Sequence, residues 1–398
     1  KKKVAKKSAV RKTTKKRVAK KAAKKRVAKK KAVRKATKKP VAKKRVAAAP
    51  RAAVEPEVIS IEKSRVWSRS LSTVSEPSRP RVCDGLVVVT CTDAVVALDA
   101  ARGTPAWRTR LDDNAYHAPV ERDELLYVAD FAGQLWALET ATGDVVWKSR
   151  ISAHKYPGLW TPTFAGDDHG ALASSDGHVY GFERETGRVL WTYESPEAAR
   201  EEEFSDTLVG HDRRIFGTSC AGELLAWSAE DGALAWRRAL GERFDRLGYR
   251  RDLFHVGWGN LVVIGSSGRH HAVVDMLEQR AGRSHWAITV HDTGVPQSIV
   301  TRGDELLLIA EHCIVCLAAD DGEQRWRYYG DSCDVCVTPD GRVLVLSTHA
   351  LLELDADTGA VIRRSAPQTK RYFSSLAWAD GDALISTYSG VLRLRWPS

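Results

Sequence analysis

A self-similar period of about forty residues constrains the fold of this chain more than any other feature of the sequence. Each of seven copies contains a short apolar strand, a polar pair and a glycine, as in "LWALETATGDVVW" (135–147). The glycines are Gly103, Gly143, Gly187, Gly232, Gly282, Gly322 and Gly359. In six copies a tryptophan follows four residues after the glycine, and Arg363 holds that position in the seventh. Such repetition predicts an architecture in which each unit buries its apolar surface against its neighbours.

Each copy has the chemistry of a β-hairpin. Alternating apolar residues predict one strand, and the Asp, Thr and Gly of segments such as "DADTG" predict a tight turn before a return strand that carries the tryptophan. A second hairpin precedes each copy, as in "LLYVADFAGQLWALE" (125–139). Four short strands repeated at this period are typical of the blades of a β-propeller.

The number of blades follows from the ends of the repeat region. Seven full periods cover residues 74–367, and residues 372–396 supply three strands of one more blade. The strand that this last blade lacks is found near the N-terminus, where Trp67 and Leu71 repeat the spacing of the other return strands. We therefore predict an all-β, eight-bladed β-propeller over residues 66–398, whose N-terminal strand closes the last blade and removes the exposed sheet edges.

The "ALD-x-x-TG-x-x-x-W" signature resembles that of the PQQ-like (quinoprotein alcohol dehydrogenase-like) propellers. That family includes quinoprotein alcohol dehydrogenases and the propeller lipoprotein of bacterial outer-membrane assembly. The resemblance implies a fold in which a ring of tryptophans docks blade on blade, and it does not by itself imply catalysis. The tryptophans of this ring are Trp67, Trp107, Trp147, Trp191, Trp236, Trp286 and Trp326.

No catalytic constellation is recognisable in the sequence. The enzymes of the resembled family hold PQQ over an aromatic floor with a vicinal Cys–Cys ring and a bound Ca²⁺, but this chain has no adjacent cysteines. Trp258 in "VGWGN" could form such a floor, although a lone tryptophan at a strand end more often serves packing. We predict a protein that is not an enzyme and binds no cofactor, with a PQQ-dependent dehydrogenase as the alternative.

Two cysteine pairs have the spacing of a zinc site. They are "CIVC" (313–316) and "CDVC" (333–336). In register with the other repeats, however, Cys316 falls on a small, buried strand position, and residues i and i+3 of a strand point to opposite faces. Core cysteines are therefore favoured over zinc ligands. The adjacent His270 and His271 also face opposite ways on a strand, so no metal site is predicted.

The N-terminal 51 residues differ from the rest of the chain. They contain 26 basic and no acidic residues, whereas the remainder has 36 basic and 50 acidic residues, a net charge of −14. Such a segment buries little apolar surface and repels itself, so we predict a disordered Lys/Ala/Val-rich tail over 1–51, joined by a linker over 52–65. The tail resembles those of linker histones and of Lys-rich bacterial nucleoid proteins.

A polycation of this density is expected to bind polyanions by releasing their counterions. We predict non-specific DNA binding, because no side chain of the tail is positioned to read base edges. An anionic membrane surface, an acidic protein or no partner at all are the alternatives. The predicted DNA-binding residues are Lys1, Lys2, Lys3, Lys6, Lys7, Arg11, Lys12, Lys15, Lys16, Arg17, Lys20, Lys21, Lys24, Lys25, Arg26, Lys29, Lys30, Lys31, Arg34, Lys35, Lys38, Lys39, Lys43, Lys44 and Arg45.

Two regions of the propeller are candidates for docking a protein partner of unknown identity. One is the basic and aromatic loop 241–254, and the other is the set of residues that precede the innermost strands and ring one mouth of the channel. The loop can equally be an ordinary surface loop. The candidate residues are Tyr116, His117, Trp160, Arg243, Phe244, Arg246, Tyr249, Arg250, Arg251, Phe254 and His255.

The location of the protein is predicted from what the sequence lacks. No apolar run approaches the roughly 18 residues of a membrane helix, and no apolar segment follows the N-terminal basic residues. Seven cysteines spread over this length favour a reducing compartment. We therefore predict a monomeric, cytoplasmic, nucleoid-associated bacterial scaffold without membrane contact, and an envelope assembly scaffold if a signal peptide precedes Lys1.

Overall fold

The structure is a computed structural model of the whole chain. It describes residues 55–71, 77–154, 158–194, 208–219, 222–241, 244, 252–257, 259–268, 270–332, 334–368 and 373–397, with residues 252–257 described for the backbone alone. The predicted tail and its DNA-binding residues therefore lie outside the described residues. None of the helices within the described ranges is long and apolar enough to cross a membrane.

The described residues form eight sheets, each with four antiparallel strands, and one of these sheets has a fifth strand. This arrangement confirms the predicted all-β, eight-bladed propeller. Before the first complete blade lie β1 (Glu57–Ile59), α1 (Ile61–Ser64) and β2 (Arg65–Ser70). Blade 1 contains β3 (Arg81–Cys83), β4 (Leu86–Cys91), β5 (Ala94–Asp99) and β6 (Pro105–Arg110), and blade 2 contains β7 (Val120–Arg122), β8 (Leu125–Ala129), β9 (Gln134–Glu139) and β10 (Val145–Arg150). Blade 3 contains β11 (Thr163–Phe164), β12 (His169–Ala173), β13 (His178–Glu183) and β14 (Val189–Glu194), and blade 4 contains β15 (Val209–His211), β16 (Arg214–Thr218), β17 (Glu223–Ser228) and β18 (Leu234–Ala239). Blade 5 contains β19 (Asp252–Gly257), β20 (Asn260–Ser267), β21 (His271–Glu278) and β22 (Ser284–Val290), and blade 6 contains β23 (Pro296–Arg302), β24 (Glu305–Ala310), β25 (Cys313–Ala318) and β26 (Gln324–Tyr329). Blade 7 contains β27 (Asp334–Val337), β28 (Val343–Leu346), β29 (Leu351–Leu354) and β30 (Val361–Ser365), and blade 8 contains β31 (Phe373–Ala379), β32 (Asp382–Thr387) and β33 (Gly390–Arg395).

The ring closes where the sequence predicts. β2 pairs antiparallel with β33, with Trp67 opposite Arg393, and so supplies the fourth strand of blade 8. β31 of blade 8 also contacts β3 of blade 1, which completes the circle of first strands around the axis. The N-terminal strand therefore covers the sheet edge that β33 would otherwise expose.

The core lies between blades. Each of eight hydrophobic clusters draws its buried residues from two neighbouring blades, and one of them joins Trp67 and Leu384 of blade 8 to Val87 of blade 1. The middle strands are covered on both faces and are almost continuously buried, whereas the outer strand β6 alternates between exposed and half-buried positions. This burial explains why the middle strands are apolar runs and the outer strands are not.

The repeated tryptophans dock blade on blade, as the resemblance implied. Seven of the repeat glycines have positive φ, and each lies against the indole ring of the tryptophan in the preceding blade. A Cβ at any of these glycines would come within 3.0 Å of that ring, so no larger residue fits without a shift. The pairs are Trp67–Gly103, Trp107–Gly143, Trp147–Gly187, Trp191–Gly232, Trp236–Gly282, Trp286–Gly322 and Trp326–Gly359.

The exception at Arg363 has a topological cause. Blade 8 has no turn between its third and fourth strands, because these strands, β33 and β2, lie far apart in the sequence. No glycine turn is therefore present to receive a tryptophan from blade 7. Arg363 instead donates to Glu353 (3.1 Å), to Glu57 (3.0 Å) and to the carbonyl oxygen of Pro397 (3.3 Å).

The segment predicted as a linker, residues 52–65, contains elements of the ring. β1 adds to blade 7 as a fifth strand, parallel to β30, with Glu57 opposite Arg363. Ile59 and Ile61 are buried in the cluster between blades 7 and 8. The repeat pattern gave no sign of this strand, because β1 lies outside the period and contains no glycine or tryptophan.

Candidate docking surface

The antiparallel strand order sorts the loops of the propeller to two ends. Turns between the second and third strands lie at the same end as the connections from one blade to the next, and this end is called the upper end here. The glycine turns between third and fourth strands lie at the opposite, lower end. The predicted mouth residues Tyr116, His117 and Trp160 all belong to blade connections, and so lie at the upper end.

An aromatic patch covers the upper end over blades 1 to 3, and it consists of Tyr116, His117, Phe131 and Trp160. The rings of Tyr116 and Phe131 lie 5.1 Å apart edge to face, and those of His117 and Trp160 lie 5.2 Å apart in the same manner. Phe131 and Trp160 join the two pairs at 6.4 Å. Tyr116 is 49% exposed, so the patch presents aromatic surface to solvent. The structure thus brings three predicted mouth residues together.

Backbone hydrogen bonds fix the position of the aromatic patch. Thr90 donates through its hydroxyl to the His117 carbonyl oxygen at 2.7 Å, and the amide of Phe131 donates to the Asn114 carbonyl oxygen at 2.9 Å. The Trp160 amide donates to the carbonyl oxygen of Ala173 at 3.0 Å. Connections and turns of successive blades are therefore tied to one another, and the rings are held in place before any partner arrives.

Beside the aromatic patch lies a cluster of His154, Asp176 and His178, called the His–Asp–His cluster here. His154 belongs to the connection between blades 2 and 3, and Asp176 lies in the turn that precedes His178 in β13. His178 Nδ1 lies 3.0 Å from Asp176 Oδ1, and His154 Nε2 lies 4.0 Å from Asp176 Oδ2. The two imidazole rings are 5.6 Å apart.

Hydrogen bonds hold the Asp176 carboxylate in its charged form. Burial by itself would raise the pKa of Asp176, but hydrogen bonds from Ser152, Ser174 and Tyr180, together with the neighbouring His178, lower it below its ordinary value. The Ser152 hydroxyl donates to Oδ2 at 2.9 Å and the Tyr180 hydroxyl at 3.0 Å. Burial raises the pKa of Tyr180 to about 12, so its hydroxyl keeps the proton that it donates.

The basic and aromatic loop is only partly described. Phe244 is buried, with 3% of its surface exposed, in the cluster between blades 4 and 5. It anchors the loop in the core, and it is therefore withdrawn from the docking residues. Arg243, Arg246, Tyr249, Arg250 and Arg251 lie outside the described residues, and Phe254 and His255 belong to β19, whose side chains are not described.

The described cysteines of the two CxxC pairs lie in the core. Cys313 packs in the cluster between blades 5 and 6, whereas Cys316 packs in the cluster between blades 6 and 7, so the two thiols lie on opposite faces of β25. Cys336 is half-buried in β27, and position 333 lies outside the described residues. Strand alternation explains this separation.

Sequence reasoning missed Phe131 and the His–Asp–His cluster. Phe131 comes from a turn within blade 2, and the cluster joins a blade connection to a turn that lies 22 residues further along the chain. The signal that could have indicated the cluster was the Asp-x-His spacing of Asp176 and His178 at the start of a strand. His154 could not be added to it without knowledge of which loops share the upper end.

Comparisons with known proteins point to one family. The family described as outer membrane protein assembly factor BamB matches residues 57–210 and 175–247. One curated relative, an outer membrane protein assembly factor BamB of Marinobacter adhaerens, is 27% identical over 169 residues, which are 42% of this chain and 40% of that protein. The protein of the same name from Burkholderia pseudomallei is 23% identical over 274 residues, 65% of each chain. These matches support the PQQ-like propeller family. The chain thus spans between two fifths and two thirds of the length of these relatives.

Solved structures share the fold. The crystal structure of BamB from Moraxella catarrhalis superposes with a TM-score of 0.64 at 17% identity, covering 83% of this chain and 98% of that one. The computationally designed Ika8 protein superposes with a TM-score of 0.65 at 11% identity, covering 82% and 98%. At such low identity these likenesses concern the fold alone.

The prediction of a cytoplasmic, nucleoid-associated protein is wrong. The curated relatives are named as assembly factors of outer membrane proteins, which points to the cell envelope. The same names weigh against the expectation that membranes play no part. The cytoplasm was favoured by the lack of an apolar segment after the N-terminal basic residues and by the cysteines, and the nucleoid by the charge of residues 1–51. None of these features is specific to one compartment, and the charge reports only which surfaces the tail attracts.

The chain does not fit the quinone site of the resembled enzymes. The sequence has no vicinal cysteine pair, and Trp258, the candidate floor, lies outside the described residues. The upper end of blades 1 to 3 instead presents aromatic rings that pack edge to face on one another. No chemical step through a quinone is derived for this chain.

Proposed function

We propose that this protein is a non-enzymatic scaffold that docks a protein partner at the upper end of its propeller, in the assembly of outer membrane proteins. The aromatic patch is the observation that carries this proposal. Aromatic side chains bring large apolar area at low cost in conformational entropy, and they are enriched among the residues that dominate binding energies. The names of the relatives, assembly factors in each case, support the process.

The partner suited to this surface is a polypeptide with apolar or aromatic side chains. Tyr116 and Phe131 supply an exposed edge-to-face pair, which can extend to a further ring from the partner. His117 and Trp160 lie beside this pair and widen the apolar area. The outer strands β6 and β10 form the rim of blades 1 and 2, and along them exposed residues alternate with half-buried ones.

Site-specific photo-crosslinking tests the proposal. A benzophenone amino acid would replace Tyr116 at the upper end and, as the matched control, Val146, which is 55% exposed at the start of β10 near the lower end. An unfolded outer membrane β-barrel protein would serve as the probe. We expect crosslinks from position 116 and few from 146, and Tyr116→Ala should weaken binding of the probe about tenfold, or about 1.4 kcal/mol. Equal crosslinking from both positions would overturn the proposed surface.

We further propose that residues 1–51 bind phosphate-bearing polyanions without sequence preference, with DNA as the predicted example. The support is the charge: 26 basic residues and no acidic residue in 51 positions. Each phosphate neutralised releases condensed counterions, and this release drives binding whichever polymer carries the phosphates. The propeller would then dock a protein while the tail holds the scaffold on an anionic surface or polymer.

A further inference from the structure

We propose that His154, Asp176 and His178 form a binding site for a first-row transition-metal dication of the zinc class. Among the residues that the structure describes, this is the one group of three or more potential ligands whose donor atoms converge. The three donor atoms all lie within 4.8 Å of one another. The inference goes beyond the docking function and does not depend on it.

The distances are close to those of a metal-bound set. Zinc binds nitrogen and oxygen ligands at about 2.0–2.2 Å, so two ligands of a tetrahedral ion lie about 3.3 Å apart. His178 Nδ1 and Asp176 Oδ1 are 3.0 Å apart, and His154 Nε2 and Asp176 Oδ2 are 4.0 Å apart. A shift of less than 1 Å in His154 would bring its nitrogen to this separation from Asp176 Oδ2, and the three donor atoms already lie within 4.8 Å of one another.

The three side chains differ in their exposure to solvent. The Asp176 side chain is 5% exposed and that of His178 is 16% exposed, whereas that of His154 is 59% exposed. Two donors are thus held within the protein and the third approaches from the surface. Such an arrangement leaves His154 room to adjust to an ion held by Asp176 and His178.

Hydrogen bonds from neighbouring groups orient Asp176 and His178. The Asp176 carboxylate accepts hydrogen bonds from Ser152, from Tyr180 and from the His178 amide, the last at 3.1 Å. The His178 ring also stacks on Tyr180 at 5.7 Å, which limits its rotation. Metal-ligating groups are commonly held by such outer hydrogen bonds, whose loss costs about 10–100-fold in metal affinity.

The donor set selects the class of ion. Two imidazoles and one carboxylate suit zinc, cobalt, nickel and copper, whereas magnesium and calcium prefer oxygen ligands. Three protein ligands leave a fourth tetrahedral position open to water or to a partner's side chain. The site adjoins the aromatic patch through Gly158, whose amide donates to Ser175 in the Asp176 turn and whose Cβ, if present, would lie 3.2 Å from Phe131.

Metal titration of the full-length chain tests the inference. The protein, stripped of metal by dialysis, would be titrated with Zn²⁺ by calorimetry and with Co²⁺ by visible absorption. We expect one equivalent of Zn²⁺ to bind and the Co²⁺ complex to show the intense bands of tetrahedral coordination. His154→Ala, at the exposed ligand, should lower affinity at least tenfold without changing the melting temperature of the metal-free protein. Ser152→Ala should lower it about 10–100-fold.

A second histidine pair provides the matched control. The rings of His271 and His291 lie 4.7 Å apart edge to face, but they belong to no converging set of three among the described residues. His271→Ala should therefore leave the affinity and the one-to-one stoichiometry unchanged. Absence of saturable binding, or binding that both His154→Ala and His178→Ala leave intact, would overturn the site. Loss of binding in His271→Ala with retention in His154→Ala would do the same.

Discussion

The indole ring of Trp67 lies directly on the α-carbon of Gly103, so that a Cβ built on Gly103 would be 2.5 Å from Trp67 Cδ2. Trp67 Nε1 also donates to the carbonyl oxygen of Ala100 at 2.8 Å, in the same turn directly after β5. The ring thus packs on one blade and hydrogen-bonds to it while belonging to the sheet of another. The same contact recurs around the propeller, so the glycine of each repeat packs against the tryptophan ring of the preceding blade.

Gly103→Ala should destabilise the propeller more than the same change at an open glycine. Both Gly103 and Gly85 have positive φ, 67° and 74°, but a Cβ at Gly85 would meet nothing within 4 Å. We expect Gly85→Ala to cost about 1–3 kcal/mol of unfolding free energy for backbone strain alone. Gly103→Ala should cost about 1–3 kcal/mol more, because the indole must move. Urea unfolding of the two variants measures these losses in unfolding free energy. Equal losses would show that the Trp67 ring can move away from a Cβ at position 103 without cost.

Truncation should separate the tail from the ring closure. Removal of residues 1–54 takes no described element and should leave the melting temperature unchanged. Removal through Leu71 takes β2 with Trp67, which exposes the edge of β33, so the melting temperature should fall sharply. Removal of residues 1–60 takes β1 but not β2, so the melting temperature should fall less than it does on removal through Leu71. Coincident melts of the first two proteins would contradict closure by β2.

Arg363→Met should reveal the contribution of the junction between the chain ends. Glu353 is 2% exposed, and the substitution would leave it with only the Trp396 Nε1–H donor at 2.8 Å. Removing one partner of a buried ion pair costs roughly 3–5 kcal/mol, and because Arg363 is 23% exposed we expect about 2–3 kcal/mol. Arg188→Met is the control, since the Arg188–Glu183 pair is 65% and 33% exposed and solvent screens it, so its loss should change stability little. Similar losses in the two variants would refute a special role of the junction.

The buried thiols should be unreactive in the folded protein. Burial raises the pKa of Cys83 to about 11 and that of Cys91 and Cys316 to about 12, and the thiolate is the reactive form. Alkylation at pH 8, followed by peptide mass spectrometry, should label these three positions only after unfolding. Rapid labelling of Cys91 in the native protein would contradict its burial.

The same shifts predict how stability depends on pH. Because the folded pKa lies above the ordinary value of 9.0, the unfolded chain loses the proton first. These thiols therefore leave stability unchanged well below pH 9, and they lower it as the pH rises from 9 towards 12, by up to about 1.4 kcal/mol per pH unit for each thiol. Between pH 8 and 10 the free energy of unfolding should fall less steeply in Cys91→Ala than in the unsubstituted protein. Parallel curves for the two proteins would count against the raised pKa of Cys91.

Polyanion binding by the tail should depend steeply on salt. If the tail neutralises about 6–10 phosphates, affinity for duplex DNA should fall by about 10³–10⁵ between 50 and 200 mM salt, with little dependence on base sequence. The residues after 51 carry a net charge of −14 and should bind DNA weakly at every salt concentration. A titration of full-length protein against a chain lacking residues 1–54 measures this. Equal DNA affinities of the two proteins would show that residues 1–54 do not bind the DNA. An affinity that does not change with salt would contradict the electrostatic mechanism.

The fold was predictable because its contacts recur. The spacing of glycine and tryptophan indicated the blades, and the isolated Trp67 indicated the strand that closes them, since a ring with an open edge would be unstable. The same repeats did not show that each glycine meets the tryptophan of the preceding blade, because a sequence period gives the unit and not the way units dock. β1 was missed for a related reason: it adds to blade 7 by backbone pairing, which leaves little trace in side-chain type.

The candidate site was less predictable than the fold. Tyr116, His117 and Trp160 could be placed together at one end from the sequence because the blade topology puts all connections there, while their role in docking stays a prediction. Phe131 and the His–Asp–His cluster were not, because they depend on which loops of blades 2 and 3 approach each other. Phe244 shows the opposite error, since an aromatic residue among arginines has the composition of an exposed surface and yet fills the core.

The parallel strand β1 also determines how the propeller responds to force. Any tension applied to the chain upstream of Glu57 reaches the pairing of β1 with β30 before it reaches Trp67. The hydrogen bonds of β1 and the Glu57–Arg363 ion pair therefore carry the first load, on the rim of blade 7, while the strand that closes blade 8 stays in place. A scaffold held through its N-terminal residues can thus give way at β1 before its ring opens.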